Sequence, residues 1–599
     1  MVDAGAGGIT VSEAVGPDQP IVRLPTATTG FVGRTLRGPV NQPVRVRSFA
    51  AFQQVFGGLW QPSMLAYAVE QFFDNGGREA VVVRVVNGGA PSTISLPCGD
   101  AALTLEALSP GSREVLRASV DYDNITPNEE DRFNLVIQRV RARASEHVED
   151  QEIFRRLSVA PGATRHVTGA LEESQLVRVR GEVPAVRPDR TFRPGARHPI
   201  GYVDSNPDGD DGAPLTDYDL IGSAERGTGL FALRSVEDLH FVCVPPPARD
   251  RDLGASVLLV AAQFCRDHRA LLVVDPPSSW QTCDDALQGL RELAFQSDHA
   301  LMCFPRVQAF DRLRGRHEPF ANCGAVAGTL ARLDEVRSPW DGGPEEPLLL
   351  RSGTRPLCLL SEAECQRLAA QGINPLPAMR PGAMNLPPLK TLARGTGAGA
   401  DASLLAIRRR QLLVLNSIEQ GTRWARFETR DRHTRARLAR QVRTFLLGLA
   451  AQGAFGRAGD LQACEVVCDD RVNDELDLAA GQVHCLVALP ATRVGEFHSY
   501  MITHRLEGTS VRSVKSRTLP EGTRFTVHAP APLRVVQPTA AVTTATRRTL
   551  AQELFAPAPE VRLEAASGAL DPVTTAPRRL DLNLIARIYG DPVRRGERF

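Results

Sequence analysis

Strand-like apolar segments alternate with segments of helical periodicity, and this alternation restricts the fold more than any other feature of the sequence. Residues 80–86 are mostly apolar and nearly all β-branched, which is typical of a strand buried on both faces of a sheet. Ser48 is placed to cap a helix over 49–56, and a second helix over 63–75 ends at two glycines. The same alternation returns over 240–304. It predicts βαβ crossovers and an α/β core in which helices pack on a mixed sheet.

Composition and periodicity change several times along the 599 residues. Short alternating segments separated by turn residues predict an inserted, mostly β outer domain. Two amphipathic helices followed by strands predict a C-terminal α+β domain, and the Gly-rich beginning and the Ala-, Thr- and Pro-rich end predict extended terminal arms. The expected boundaries are 1–20 for the N-terminal arm, 21–87 and 236–403 for the two parts of the core, 88–235 for the insert, 404–507 for the C-terminal domain, and 508–599 for a C-terminal extension or arm.

A single short strand is predicted inside the N-terminal arm, where residues 9–13 alternate apolar and polar side chains. The surrounding glycines and prolines cannot form a core, so this strand needs a sheet from elsewhere. Another subunit can supply that sheet by strand addition. Ile9, Val11 and Glu13 are therefore the candidate residues of an inter-subunit arm strand.

Positive and negative charges balance, with 70 basic and 69 acidic residues and a net charge of +1, which argues against a dedicated nucleic-acid-binding protein. All the basic residues except Lys390 and Lys515 are arginines. The exception to the balance is 423–443, where eight arginines accompany only Glu428 and Asp431. This segment is either a solvated helix face or a docking face for an acidic partner, and DNA is a third, weakly supported partner. The candidate docking residues are Arg423, Arg426, Arg435, Arg437, Arg440 and Arg443.

No motif predicts catalysis, a cofactor or a metal site. Residues 204–209 resemble the first half of a calcium loop, but Leu215 stands where a bidentate glutamate is needed. The glycine-rich segments lack the residues of a phosphate loop, and the histidines lie outside any known catalytic motif. Cys464 and Cys468 are closely spaced but lack a second pair at zinc-site spacing, so buried free thiols are expected. We therefore expect no enzyme, no cofactor and no metal.

Membrane insertion and secretion signals are also not predicted. The sequence contains no apolar stretch of the length that a membrane span requires. The first ten residues lack the basic and apolar regions of a signal peptide, so synthesis in the bacterial cytoplasm is expected.

Segments distributed in one order along the chain point to a single family. They include Ile9–Glu13, Pro25–Gly33, Ser48–Gly57, Ala66–Gly77 followed by Val81–Val85, Leu272–Pro277, Gly324–Gly328 and Ile418–Trp424. Together these segments resemble the tail sheath proteins of contractile phage tails and related contractile injection systems. The resemblance extends from residue 9 to about residue 507. The chain departs from the family pattern at 383–392 and in its long extension after 507.

The resemblance implies a structural subunit that polymerises as stacked helical rings around an inner tail tube and contracts to drive the tube through a target envelope. Its partners would be copies of itself, the tube protein, and baseplate and tail terminator proteins, within a virion or a phage-tail-like particle. The 404–507 domain would face the tube, with the arginine segment in contact with it. A sheath-like paralogue that forms a baseplate-proximal or tail-terminal ring, and an enzyme on the α/β core, are the alternatives. The sequence does not distinguish a phage from a bacteriocin or an extracellular injection system.

Overall fold

The chain forms two compact units. A computed structural model describes residues 20–143, 145–191, 201–340, 348–351, 353–378, 386–393, 403–455, 464–491 and 497–514. Of these, the described residues of 25–408 form one unit, here the α/β unit. Residues 20–24 and the described residues of 409–514 form the other, here the C-terminal unit.

Most of the described chain is in regular secondary structure. The strands are β1 (Thr29–Gly33), β2 (Val44–Val46), β3 (Ala80–Arg84), β4 (Pro91–Cys98), β5 (Ala101–Pro110), β6 (Leu116–Asp121), β7 (Arg132–Val140), β8 (Val148–Ser158), β9 (Val177–Arg180), β10 (Val203–Asp204), β11 (Phe241–Cys243), β12 (Leu271–Val274), β13 (Ala300–Phe304), β14 (Val307–Asp311), β15 (Arg316–Phe320), β16 (Thr354–Pro356), β17 (Ile373–Pro375), β18 (Glu465–Val467), β19 (Val483–Pro490), β20 (Phe497–Arg505) and β21 (Gly508–Val514). The helices are α1 (Phe49–Phe56), α2 (Leu65–Asp74), α3 (Val167–Leu171), α4 (Asp217–Ile221), α5 (Ala255–Asp267), α6 (Cys283–Leu293), α7 (Cys323–Val336), α8 (Glu362–Ala370), α9 (Leu405–Gly421), α10 (Arg432–Ala451) and α11 (Glu475–Ala479).

A seven-stranded sheet forms the centre of the α/β unit, in the order β17-β13-β12-β11-β1-β3-β2. All neighbouring strands are parallel except β2, which runs antiparallel to β3 at one edge. The predicted α/β core with a mixed sheet and packed helices is thereby confirmed. Ser48 caps α1 as expected, because its side chain accepts a hydrogen bond from the backbone N–H of Ala51.

Helices α2 and α7 pack against each other at very short range, and two glycines allow this. A Cβ atom on Gly324 would lie 2.0 Å from the carbonyl oxygen of Ala68, and one on Gly328 would lie 2.3 Å from that of Phe72. No side chain fits in either space. The segment Gly324–Gly328, which the sequence resemblance singled out, is therefore a helix-packing motif.

The chain between β3 and α4 forms two antiparallel sheets of its own, β10-β6-β7-β8 and β4-β5-β9. Their inner faces share one apolar cluster. The buried Arg84 connects this region to the seven-stranded sheet: its guanidinium donates to Gly38 O at 2.7 Å, to Ser109 Oγ at 2.8 Å and to Pro110 O. Burial lowers the pKa of Arg84 to about 10. A third small sheet, β15-β14-β16, completes the sheets of the α/β unit.

The C-terminal unit contains a four-stranded antiparallel sheet, β18-β19-β20-β21, against which α10 packs. The N-terminal residues 20–24 pack on α9 of this unit, where the backbone N–H of Leu24 donates to Ser417 Oγ at 3.1 Å. Strand β21 begins at Gly508, where the sequence analysis placed the start of the C-terminal extension. The predicted arm strand with Ile9, Val11 and Glu13 lies outside the described residues.

Candidate interface surfaces

Helix α10 carries most of the arginine-rich segment. It begins at Asp431, whose carboxylate accepts a hydrogen bond of 2.7 Å from the backbone N–H of Thr434. Its apolar residues recur at helical spacing and are buried in the C-terminal unit. This buried face consists of Leu438, Val442, Leu446 and Leu449.

Two of the six candidate arginines, Arg435 and Arg437, make side-chain contacts within the C-terminal unit. Arg435 is 7% exposed, and its Nη1 lies 2.6 Å from Oδ1 of Asp470. Arg437 places its guanidinium 4.3 Å from the ring centre of Trp424 and lies 3.7 Å from the carboxylate of Glu428. The guanidinium of Arg437 therefore lies over the indole of Trp424 in a cation–π contact.

Two further candidates belong to the short 3₁₀ helix Arg423–Arg426. The Arg426 side chain donates to the carbonyl oxygens of Arg505 at 3.1 Å and Leu506 at 2.7 Å, which fixes the turn between β20 and β21. Arg423 forms an ion pair of 3.5 Å with Glu419, one helical turn earlier. These two arginines therefore also contribute to the folding of the C-terminal unit.

The remaining candidates, Arg440 and Arg443, are exposed on α10, as is Arg432. At about 100° of rotation per residue, these three side chains fall within about 80° of each other around the helix. We call them the arginine stripe. Arg443 also donates to the carbonyl oxygen of Val466 at 3.3 Å. Sequence reasoning grouped six arginines as one docking face, and the structure separates the exposed arginines of the stripe from four that are buried or half-buried.

The four-stranded sheet presents two edge strands, β18 and β21, within the described residues. Edge strands carry backbone N–H and C=O groups that can pair with an added strand. Strand β18 has three residues and β21 has seven. These two edges are the positions at which a strand from another chain could add to the sheet.

The residues resembling a calcium loop serve a different purpose. The Asp208 carboxylate accepts from the backbone N–H of Thr93 at 2.9 Å and from its hydroxyl at 2.6 Å. The Asn206 side chain donates to the same hydroxyl oxygen at 2.9 Å. These polar groups therefore fasten the 204–209 loop to β4.

One open groove lies beside α2 and the β14–β15 hairpin, and sequence reasoning did not identify it. It encloses about 430 Å³ and is lined by Tyr67, Glu70, Asp74, Phe310 and Arg312, among others. Burial raises the pKa of Glu70 to about 6, although Arg312 lies 3.4 Å away and opposes the shift. Because its acids and arginines are neighbours, the groove has the character of a surface ion-pair cluster.

Neither a metal-ligand cluster nor a membrane-spanning helix is found in the described ranges. Within them, no three His, Cys, Asp or Glu side chains converge closely enough to hold a metal ion. None of the helices in those ranges is both long enough and apolar enough to cross a bilayer. All eleven cysteines are free thiols.

Comparison with known proteins identifies the fold through solved structures. No family model matches the chain, and no curated protein matches it in sequence. The sheath tail protein Lin1278 from Listeria innocua matches with a TM-score of 0.55 and 13% identity, over 81% of this chain and 97% of that chain. The chain has the fold of a tail sheath protein. The resemblance noted in the sequence is confirmed at the level of the fold.

Two other solved structures are similar at lower scores. The sheath of the extracellular contractile injection system PVC, in its contracted state, matches with a TM-score of 0.48 and 13% identity, over 82% of this chain and 96% of that chain. The sheath tail protein DSY3957 from Desulfitobacterium hafniense matches with a TM-score of 0.47 and 12% identity, over 83% of this chain and 100% of that chain. The fold assignment rests on the Listeria protein, whose TM-score exceeds 0.5.

Proposed function

We propose that this chain is a structural subunit of a contractile tail sheath, which polymerises as stacked helical rings around an inner tube and contracts to drive that tube through a target envelope. The supporting observation is the shared fold with a sheath tail protein over 97% of that protein's length. The role is mechanical rather than enzymatic. It places the chain in a virion or phage-tail-like particle, with the tube, baseplate and terminator proteins as its partners beside copies of itself.

The arrangement of the chain ends supports the use of terminal arms. Residues 20–24 pack on α9 and β21 ends at Val514, so segments 1–19 and 515–599 are both joined to the C-terminal unit. That unit also contains the four-stranded sheet with its two edges. We infer that the strand containing Ile9, Val11 and Glu13 adds to such an edge in a neighbouring copy.

Strand addition suits a machine that must change shape without falling apart. Backbone hydrogen bonds between an arm and a neighbouring sheet persist while the bodies of the subunits slide and rotate. If contraction buries a few hundred Å² more apolar area per subunit, about 25 cal/mol per Å² gives several kcal/mol. Summed over many subunits, this drives movement without nucleotide hydrolysis at the moment of contraction.

The arginine stripe is the proposed contact with the tube. Exposed ion pairs contribute less than about 1 kcal/mol each, so a row of them holds the tube in place and still releases it on contraction. Arg423, Arg426, Arg435 and Arg437 support this surface through their contacts within the unit.

Self-assembly of the purified chain tests the proposal. Full-length protein at increasing concentration should form tubular polymers visible by negative-stain electron microscopy. A variant lacking residues 1–19 keeps the contact between Leu24 and Ser417, so it should remain folded, with an unchanged melting midpoint, and fail to polymerise.

Three outcomes would count against it. A full-length chain that stays monomeric at all concentrations contradicts a sheath role. Polymers of normal length from the shortened variant contradict the arm. Closed rings that do not stack would favour the alternative role as a baseplate-proximal or tail-terminal ring.

A further inference from the structure

Two cysteine side chains face each other at the edge of the four-stranded sheet. Residues 465–467 of β18 pair in antiparallel register with residues 486–488 of β19. Continuing that register by one residue sets Cys468 opposite Cys485. Both are free thiols in the interior of the C-terminal unit, with 4% and 1% of their surface exposed.

The distances between opposed strand residues match those of a disulfide. Opposed residues in antiparallel strands have Cα atoms about 4.5 to 5.5 Å apart, within the range of about 4.4 to 6.8 Å that a disulfide spans. The two side chains are also in contact. The hydrogen bond with Cys468, together with burial, raises the pKa of the Cys485 thiol well above its usual value.

The cysteine that is nearest in sequence is not a comparable partner. Cys464 and Cys468 flank the two ends of β18. Along an extended strand, four residues cover about 13 Å, which is too far for a disulfide. The pairing that the sequence spacing suggests is therefore excluded, and the cross-strand pairing is favoured.

We propose that Cys468 and Cys485 are an oxidation site at which a small-molecule disulfide converts two thiols into a cross-strand disulfide. The Cys468 thiolate attacks one sulfur of the small disulfide, and one small thiol leaves. The Cys485 thiolate then attacks Sγ of Cys468 in this mixed disulfide, and the second small thiol leaves. The protein loses two protons and two electrons, and the small disulfide gains them as it becomes two thiols.

The position of the pair at a short edge makes the reaction feasible in the folded protein. Strand β18 has three residues and is paired only with β19 among the described residues. Short edges of this kind open locally at low free-energy cost, which admits a small oxidant to Cys468. The bond would close the loop that carries α11 and Asp470, and it would fasten β18 to the sheet.

A second thiol pair in the same chain provides a matched internal control. The Sγ of Cys243 lies 3.7 Å from the carbonyl oxygen of Cys323, and the two thiols are also in contact. This pair lies between the middle of the seven-stranded sheet and α7, and both residues are completely buried. The Cys243 and Cys323 thiols are in contact, but they do not lie at the edge of a sheet where local opening would admit an oxidant. This pair should therefore stay reduced.

The experiment is oxidation of the purified full-length chain with oxidised glutathione, followed by alkylation with N-ethylmaleimide in denaturant, proteolysis and mass spectrometry. We expect peptides with residues 468 and 485 to appear joined and two hydrogens lighter, and the alkylated forms to decline in parallel. Formation should accelerate at higher pH, because the raised pKa keeps Cys485 protonated near neutrality. The melting midpoint of the C-terminal unit should rise by a few degrees.

Variants and controls separate the possible outcomes. Cys468→Ser and Cys485→Ser should each abolish the joined peptide, and peptides with Cys243 and Cys323 should remain alkylated. The proposal is overturned if, after treatment of the folded protein, Cys468 and Cys485 are both still recovered in the alkylated form. Urea-unfolded protein treated with the same reagent is the positive control, and it must show oxidation. The proposal is also overturned if Cys468 is joined to Cys464 instead.

Discussion

The seven-stranded sheet of the α/β unit and the four-stranded sheet of the C-terminal unit bury different kinds of side chain. In the seven-stranded sheet, β12 is entirely apolar and β3 is apolar except for Arg84 at its end, and every residue of both strands is buried. In the four-stranded sheet, β20 buries Ser499, Thr503 and His504 among its apolar residues. Buried polar groups cost free energy unless they are hydrogen-bonded. Strands β3 and β12 therefore depend mainly on close packing, and β20 depends on particular polar partners.

His504 illustrates the polar case. The Thr422 hydroxyl donates to Ile418 O at 2.6 Å, so the 3.2 Å contact between Thr422 and His504 uses the Nε2–H of His504 as donor. Nδ1 of His504 then accepts from the Thr509 hydroxyl at 3.0 Å. Both ring nitrogens are satisfied in the neutral imidazole. Because these partners lie on β21 and beside α9, the histidine fixes the register of the sheet.

Changing a packing glycine should have the largest effect on stability. In Gly328→Ala, the new Cβ would lie 2.3 Å from the carbonyl oxygen of Phe72, so α7 and α2 must move apart. We expect a loss of about 3 kcal/mol in the free energy of unfolding of the α/β unit. Chemical denaturation followed by circular dichroism measures it.

Gly448→Ala in α10 is the matched control, because a Cβ there meets no atom within 4 Å. Alanine is the better helix former, so this variant should gain about 0.5 to 1 kcal/mol. If both glycine variants change stability in the same direction, the contrast between close packing in one unit and a tolerant helix in the other is wrong.

Acidification should have the next largest effect, and it should affect the C-terminal unit first. Burial lowers the pKa of His504 to about 4 and also lowers the pKa of His484. The unfolded chain binds these protons near pH 6.5, so stability present above that pH is lost as the pH falls towards 4. A histidine whose pKa is shifted from 6.5 to about 4 costs about 2.5 kcal/mol of stability at pH 4.5.

The α/β unit contains comparable groups. Burial lowers the pKa of His299 to about 4, and its Nδ1–H donates to Ala270 O at 2.9 Å. Burial lowers the pKa of His268 as well. A similar loss is a larger share of the stability of the smaller unit. Hydrogen-exchange mass spectrometry from pH 7 to 4.5 should therefore show earlier loss of protection over 409–514.

His504→Gln removes one of these ionisable groups and should flatten the pH dependence of the C-terminal unit without changing that of the α/β unit. If both units lost hydrogen-exchange protection equally at every pH, the predicted greater acid sensitivity of the C-terminal unit would be wrong. So would a pH profile of the C-terminal unit that this substitution does not alter.

The same contrast explains which elements could be predicted from the sequence. Most strands and helices of the α/β core up to β13 were predicted because their apolar residues follow simple periodicities, as in α1 and β13. Helices α7 and α8 and strand β17, which follow them, were not predicted. Strands β20 and β21 were not predicted, because the sequence reads Ser499, Thr503 and His504 as exposed residues. Their burial depends on partners such as Thr422 and Thr509, which are distant in the sequence or reached only through the fold.

Charge patterning had a similar limit at the candidate site. Eight arginines between 423 and 443 predicted a docking face, but the sequence does not tell which guanidinium groups are used internally. Arg435 is buried because Asp470, 35 positions later, supplies its carboxylate. Arg426 is used by the β20–β21 turn. The helical period places Arg432, Arg440 and Arg443 within about 80° of each other, but it also places Arg435 only about 60° from Arg432. The period alone therefore does not separate the exposed stripe from the buried Arg435, and the fold is needed to do so.

Charge reversal on the arginine stripe should have the smallest effect on folding and a selective effect on assembly. The double variant Arg440→Glu with Arg443→Glu changes exposed side chains, so the free energy of unfolding should change by less than about 1 kcal/mol. The melting midpoint should shift correspondingly little. Electron micrographs of sheaths assembled with the tube protein should show empty polymers, because tube docking requires the positive charge. Arg113→Glu with Arg143→Glu makes the same change in net charge at exposed positions of the α/β unit and should leave tube-filled sheaths. If sheaths of the two double variants enclose tubes equally well, the stripe is only a solvated helix face. Positive charge on the C-terminal unit then matters no more for tube docking than positive charge on the α/β unit.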